Sequence, residues 1–258
     1  MKIAQIKAKI IAHQRFGDSF RCLEFESGFI AKHAVAGQFV NIKVTDGLAP
    51  LLRRPLSIHA IKAGKVKVIY KVLGKGTRAL AARKPGELLD IIGPLGNGFD
   101  LLRLVKSKTS KNILVAGGMG VAPLVFLAEK LKKTKPLVLI GAKTKKEILC
   151  AREFKALGCE LKIATLDGSW GFKGTVTDLF KIILEGINSA RVFSCGPQAM
   201  LKAVSQISGE HKISAQLSLE EHMACGIGAC LGCVVATKTG YKTVCKDGPI
   251  FYSEELAW

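Results

Sequence analysis

The chain has 258 residues, 48% apolar and 7% aromatic, with 39 Lys and Arg against 20 Asp and Glu for a formal charge of +19. That is enough apolar material for more than one core and excludes a disordered chain; lysines scattered among few aromatics argue for a solvated surface attractive to anionic cofactors or an acidic partner, not for a nucleic-acid-binding face. The longest uncharged stretch, Asn112 to Ala128, is broken by three glycines and a proline, so no membrane span is expected, and MKIAQIKAKII lacks the apolar run of a secretory signal, so the cytoplasm is the expected compartment.

From Met1 to about Leu102 the segments are short and punctuated by turns. Strands are expected at Lys2 to Ala12, Ser19 to Phe25, Gly37 to Val44, Arg54 to Ala60, Lys65 to Val72 and Glu87 to Ile92, with helix only at Thr77 to Arg83. Close-spaced strands with little helix predict a small antiparallel barrel, with the turn from Gly93 to Phe99 as its closing loop. Arg53-Arg54-Pro55-Leu56-Ser57 sets a guanidinium and a hydroxyl at one strand start, a pair suited to a phosphate and a polar ring edge, although paired arginines are also common as surface charge. Gly74-Lys75-Gly76-Thr77 follows a strand and opens the helix. There, backbone amides can approach an anion, or Thr77 can serve as a plain cap.

Val105 to Lys111 is polar and basic and reads as a linker. Beyond it strands and helices alternate: strands at Asn112 to Ala116, Pro136 to Gly141, Glu160 to Thr165, Ala190 to Ser194 and Ile213 to Leu217, helices at Val121 to Lys132, Lys146 to Leu157, Thr177 to Leu184 and Pro197 to Ile207. This rhythm predicts a parallel sheet covered on both faces, with its ligand edge at the strand C-termini. Two turns there carry the needed parts for a pyrophosphate, a glycine turn followed by a helix start: Gly117-Gly118-Met119-Gly120 and Cys195-Gly196-Pro197. As a bare thiol, Cys195 is equally a small buried residue. A carboxylate near the end of the second strand would favour NAD, whereas Lys143, Lys145 and Lys146 offer cations to the extra phosphate of NADP.

The stretch from Glu220 to Phe251 holds four of the eight cysteines, Cys225, Cys230, Cys233 and Cys245. Their C-x4-C-x2-C spacing with a distant fourth favours a 2Fe-2S cluster over zinc, whose ribbons usually present two C-x2-C knuckles. Gly226, Gly228 and Gly232 suit a backbone that wraps a cluster at positive φ. Eight cysteines without an export signal point to metal or redox use, not to a disulfide framework.

The Arg54 to Ser57 and Gly76-Thr77 motifs together resemble the flavin domain of the ferredoxin-NADP reductase superfamily. By that resemblance Arg54, Pro55, Leu56 and Ser57 hold the FAD phosphate and isoalloxazine, with Leu56 standing where the superfamily often has a tyrosine. Ile69, Tyr70 and Lys71 flank the flavin, and Gly76 and Thr77 bind the pyrophosphate. Gly117, Gly118 and Gly120, with Cys195, Gly196 and Pro197, resemble the nicotinamide-nucleotide loops of the same superfamily. With the cluster loop added, the whole chain resembles the electron-transfer subunits of dihydroorotate dehydrogenase B. The resemblance implies three domains of β and α/β class: an FAD barrel at 1–104, a nicotinamide domain at 105–218 and a 2Fe-2S domain at 219–258. It also implies NAD as acceptor and a heterotetramer of two such chains with two FMN-containing catalytic subunits. Flavin subunits serving ferredoxin, sulfur or hydrogenase chemistry are similar, and a cluster protein that senses redox state without turnover is a third reading. If a partner covers the cluster, apolar residues such as Ile227, Leu231, Ile250 and Phe251 are expected at the surface.

Overall fold

The computed structural model describes residues 2–17, 19–101 and 111–258. The expected linker from Val105, up to the start of a strand at Lys111, and the division at 104/105 lie outside the described residues.

Six strands close the first unit: β1 (Ala4–Arg15), β2 (Phe20–Glu26), β3 (Phe39–Ile42), β4 (Arg54–Lys62), β5 (Lys65–Lys71) and β6 (Leu88–Leu95), ordered β1-β2-β5-β4-β3-β6 with every pairing antiparallel. Alternation places Leu23 and Phe25 of β2 and Val66 and Val68 of β5 inside, all fully buried, while Lys65 and Lys67 face water. Besides α2 (Lys75–Ala81), this half contains α1 (Gly28–His33), which sequence reasoning missed. A single turn leaves little periodicity to read; Ser27 starts it by accepting the Ile30 amide at 3.1 Å and buried Ile30 anchors it. Gly93 to Leu95 belong to β6, so only the remainder of the expected closing loop is irregular.

The second unit is a seven-stranded sheet built on β7 (Lys111–Gly117), β8 (Leu137–Ala142), β9 (Glu160–Thr165), β10 (Phe172–Lys173), β11 (Ala190–Cys195) and β12 (Ala215–Ser218). β7 and β8 are buried almost throughout, the mark of central parallel strands covered on both faces. Helix α3 (Val121–Leu131) lies between the sheet and β4 of the barrel, with α4 (Ala151–Ala156) beside it. On the other face lie α5 (Val176–Leu184) and α6 (Gln198–Glu210). A capping box starts α5, with the Asp178 amide donating to Thr175 Oγ1 at 3.1 Å and the Thr175 amide to Asp178 Oδ2 at 3.0 Å. The single helix expected from Lys146 to Leu157 is instead a turn, Lys145–Glu147, then α4, broken where Cys150 adopts φ 59°. The chain turns inward there to bury Leu149 and Cys150 in the core shared with the barrel.

The last segment is not an independent appendage. It forms the hairpin of β13 (Val234–Thr237) and β14 (Gly240–Thr243), and then β15 (Ile250–Tyr252) returns to pair antiparallel with β12 at the sheet edge. This corrects two expectations: the sheet is mixed at that edge, and Phe251, paired with Leu217, is 2% exposed and covered by the chain's own core. Ile250 is half-buried, whereas Ile227 and Leu231 stand exposed at 49% and 65%.

Candidate functional site

Pro55, Leu56 and Ser57 of β4 and Ile69, Tyr70 and Lys71 of β5 line one cavity of about 280 Å³ together with Thr77. The two adjacent arginines part company. Arg53 turns to β6, where Nη2 bonds Asp90 Oδ1 at 2.7 Å and Nη1 bonds the Asp90 carbonyl at 2.8 Å. Burial alone would raise the Asp90 carboxyl, but its bonds from Arg53 and Gln5 prevail and hold it below the usual carboxylate range. Arg54 turns the other way, donating from Nη1 to the Leu52 carbonyl at 2.6 Å, and its guanidinium packs on Gly76 where any β-carbon would overlap it. A cation is thus held against the glycine turn, which is the donor set a phosphate needs. Thr77 Oγ1 folds back to accept from the amides of Leu73 at 2.9 Å and Gly74 at 3.1 Å, so its hydroxyl shapes the turn. Tyr70 is 2% exposed, with its hydroxyl on His13 Nε2 at 2.8 Å. The cavity is also lined by Met119 of the first glycine turn and by Leu219, Glu220, Glu221, Met223 and Pro249, which sequence reasoning did not assign to it. For the last five, only their position just before or within the cluster stretch could have pointed to them.

The sheet order reverses at β7, with β8 on one side and β11 on the other, so both glycine turns sit at the C-terminal ends of adjacent strands at the switch point. The turns are packed into each other: a β-carbon at Gly120 would overlap the Cys195 carbonyl oxygen, and one at Gly117 would lie 2.5 Å from Met200 Sδ. Gly117, Gly118 and Pro197 open onto a cavity of about 670 Å³ with Gly141, Ala142, Lys143, Thr175 and Met200. Gly120 and Cys195 lie behind it, fully buried, and burial pushes the Cys195 thiol up, so it remains protonated. Gly196 faces a neighbouring cavity of about 520 Å³. Of the expected cations, Lys143 lines the dinucleotide-sized cavity; so does Glu147, whose Oε2 accepts the Lys143 amide at 3.2 Å. Glu147, in the turn beyond the end of β8, is a carboxylate of this cavity that sequence reasoning did not single out. Met119 and Lys71 line both this cavity and the one on the barrel.

The four cysteines of the last segment converge as two thiol pairs, Cys225 with Cys230 and Cys233 with Cys245. Amides point at the sulfurs: Ala229 at 3.3 Å and Ile227 and Cys230 at 3.4 Å on Cys225 Sγ, Gly228 at 3.1 Å on Cys245 Sγ, and Cys245 at 3.4 Å on Cys233 Sγ. Burial raises the Cys225 thiol, yet the amides of Ile227, Cys230 and Ala229 and the Cys230 thiol outweigh it and bring it down to about 6. Burial, and next Cys233, push Cys245 up to about 12, a proton that a metal would displace. Two thiol pairs under a canopy of amides fit two metal centres better than one. Gly226 and Gly228 take φ 72° and 85° as expected, but Gly232 does not have positive φ; that role falls to Leu231 at φ 54°. The loop is fastened to the barrel by Asn41 Nδ2 on the Cys225 carbonyl at 3.4 Å and by Asn97, whose amide meets the Gly248 carbonyl at 2.6 Å. Cys230 is the exposed corner, flanked by Ile227 and Leu231.

Comparison with known proteins agrees with this arrangement. Residues 220–257 match the iron-sulfur cluster binding domain of dihydroorotate dehydrogenase B, and residues 114–206 match an oxidoreductase NAD-binding domain. The dihydroorotate dehydrogenase B (NAD(+)) electron transfer subunit of Desulforamulus reducens is 40% identical, covering 97% of each chain. That of Bacillus cereus is 44% identical over 83% of this chain and 84% of its own. Among solved structures, an NADH-dependent reduced ferredoxin-NADP oxidoreductase superposes with a TM-score of 0.86 at 30% identity, covering 97% of this chain and 90% of that one. A ferredoxin NADP+ reductase from Neisseria gonorrhoeae with bound FAD and NADP shares the fold, with a TM-score of 0.68 at 17% identity over 80% of this chain and 91% of its own. Among the described residues no helix is long and apolar enough to cross a membrane.

Proposed function

The chain belongs to the family of dihydroorotate dehydrogenase B electron transfer subunits, and on that premise we propose that it carries electrons from the FMN of a separate catalytic subunit to NAD+, serving dihydroorotate oxidation in pyrimidine synthesis. The observation that carries this reading is the adjacency of its three sites. Met223 and Pro249 tie the cluster loop to the wall of the barrel cavity, and Met119 and Lys71 tie that cavity to the dinucleotide cavity. Cluster, flavin and nicotinamide would therefore stand in that order. When bound, the flavin supplies the coupling between the one-electron chemistry of iron and the hydride chemistry of nicotinamide. Cys225, Cys230, Cys233 and Cys245 would hold the 2Fe-2S cluster. Arg54 and the turn at Gly76 and Thr77 would hold the FAD phosphates, while Pro55, Leu56, Ser57, Ile69, Tyr70 and Lys71 would orient its ring. Gly117, Gly118 and Pro197 would face the nicotinamide nucleotide, with Gly120, Cys195 and Gly196 setting the shape of that edge. Glu147 in this cavity supports NAD over NADP, since a carboxylate there accepts from a ribose hydroxyl and repels a phosphate.

The division into 1–104, 105–218 and 219–258 is part of the proposal, supported by the two matched spans, with β15 lent back to the sheet. So are a heterotetramer of two such chains with two catalytic subunits and a cytoplasmic setting, the latter supported by eight free cysteines. The likeness to the ferredoxin-NADP oxidoreductase structure favours a second reading, service to a ferredoxin-type partner.

The chain alone, loaded with its cofactors, should reduce an artificial dye with NADH, prefer NADH to NADPH, and leave dihydroorotate untouched. Steady-state assays with each donor check this, and dihydroorotate oxidation by the isolated chain would contradict the division of labour. Flavin retention tests the barrel site. Arg54→Ala removes a charge-assisted contact worth about 1.5–3 kcal/mol, so FAD affinity should fall by roughly one to two orders of magnitude in a fluorescence titration.

A further inference from the structure

His59 on β4 and Cys150 and Glu153 at the start of α4 meet in the seam between barrel and sheet, outside the cavities and the cluster loop described above. One potential ligand atom from each lies within 4.8 Å of the others. His59 and Cys150 are 2% and 6% exposed; the Glu153 side chain is 40% exposed, but its Oε2 is enclosed and the carboxylate takes a hydrogen bond from the Cys150 thiol. His59 Nδ1 donates to the Ala122 carbonyl at 2.9 Å, in the first turn of α3. That bond leaves Nε2 aimed at Glu153 Oε1, 3.6 Å away. A neutral imidazole would thus set a lone pair against a carboxylate, an arrangement that calls for a cation between them, either a proton or a metal ion. Lys67, whose charge reaches Glu153, is itself paired with Glu24 Oε2 at 3.2 Å.

A ring N–H fixed by a backbone carbonyl is the support usually found behind a metal-ligating histidine. One nitrogen, one sulfur and one carboxylate oxygen form the mixed donor set that zinc accepts, with a fourth position left for water. Cys150 is also one of the few non-glycine residues at positive φ, at 59°, and this conformation accompanies the inward turn that buries it.

We propose that His59, Cys150 and Glu153 bind one divalent cation of the zinc class, which staples the barrel to the nucleotide sheet. On binding, His59 Nε2, Cys150 Sγ and a Glu153 carboxylate oxygen each donate a lone pair. The Cys150 thiol proton passes to solvent, and nothing is oxidised or reduced.

The test uses the chain loaded with FAD and its iron-sulfur cluster, freed of loose metal by a chelator and dialysed against micromolar zinc. One zinc per chain should be retained beyond the iron, with proton release and a higher thermal midpoint; cobalt(II) should give the visible bands of a tetrahedral thiolate site. Cys150→Ser and Glu153→Gln keep side-chain volume, so both should fold. Each should weaken zinc binding by about tenfold or more, while iron, sulfide, flavin and NADH-dye activity stay unchanged. Failure of the parent to take up zinc, or uptake unchanged in either variant, overturns the site and leaves a plain His59–Glu153 ion pair.

Discussion

Replacing Cys233 or Cys245 with serine should yield a chain without iron or sulfide, and Cys225→Ser or Cys230→Ser a chain that holds little. The two groups differ because Cys233 and Cys245 are each 2% exposed, whereas Cys225 is half-buried and Cys230 is at the surface, where water can substitute as a ligand. The amide bonds on Cys225 stabilise a thiolate, the form that binds metal, and a serine hydroxyl cannot supply that charge near neutral pH. Cys22→Ser, Cys150→Ser and Cys159→Ser should leave iron and sulfide at the parent level. Chemical analysis for both elements, with the visible spectrum, decides it. Stoichiometric zinc without sulfide in the parent would refute the cluster.

An equally severe effect is expected from a single methyl group. Gly120→Ala places a β-carbon on the backbone carbonyl of Cys195, and neither partner is a side chain that can swing away. One of the two turns must move, so the stability loss should reach or exceed about 3 kcal/mol, the upper part of the usual overpacking range. NADH-dye activity should be largely lost as the nucleotide edge opens. Gly118→Ala is the control: nothing lies within 4 Å of the added carbon, and the cost is confined to φ 54°, about 1 kcal/mol. Denaturant unfolding of the two variants compares them directly.

That contrast also illustrates what sequence could and could not convey. The glycine turns were legible because each follows a strand and precedes a helix, a local pattern. Their mutual packing was not, because it depends on β7 and β11 being neighbours, a fact of sheet order. The barrel strands were readable from alternation, whereas α1 offers too short a period to detect. Phe251 was misplaced because the chain returns to the sheet through β15, whose three residues carry no signal that distinguishes a sheet edge from a surface. The Arg53-Arg54 pair showed that a phosphate ligand was available. The Asp90 contact then separates the arginine that holds the barrel from the one beside Gly76, which is the one the family resemblance picks. The wall from Leu219 to Met223 belongs to the barrel cavity by folding alone, and it is this wall that brings the cluster loop and that cavity together.

The central claim, that this chain is the conduit between a partner's flavin and NAD+, is tested most directly by reconstitution with the FMN-containing catalytic subunit. Mixing the two should restore dihydroorotate-dependent reduction of NAD+. Leu231→Glu, at an exposed position beside Cys230, should impair that reaction while sparing NADH-dye activity, because the charge falls on the face a partner must approach. Dihydroorotate-dependent NAD+ reduction that proceeds equally well without this chain, or that is indifferent to loss of its cluster, would contradict the account.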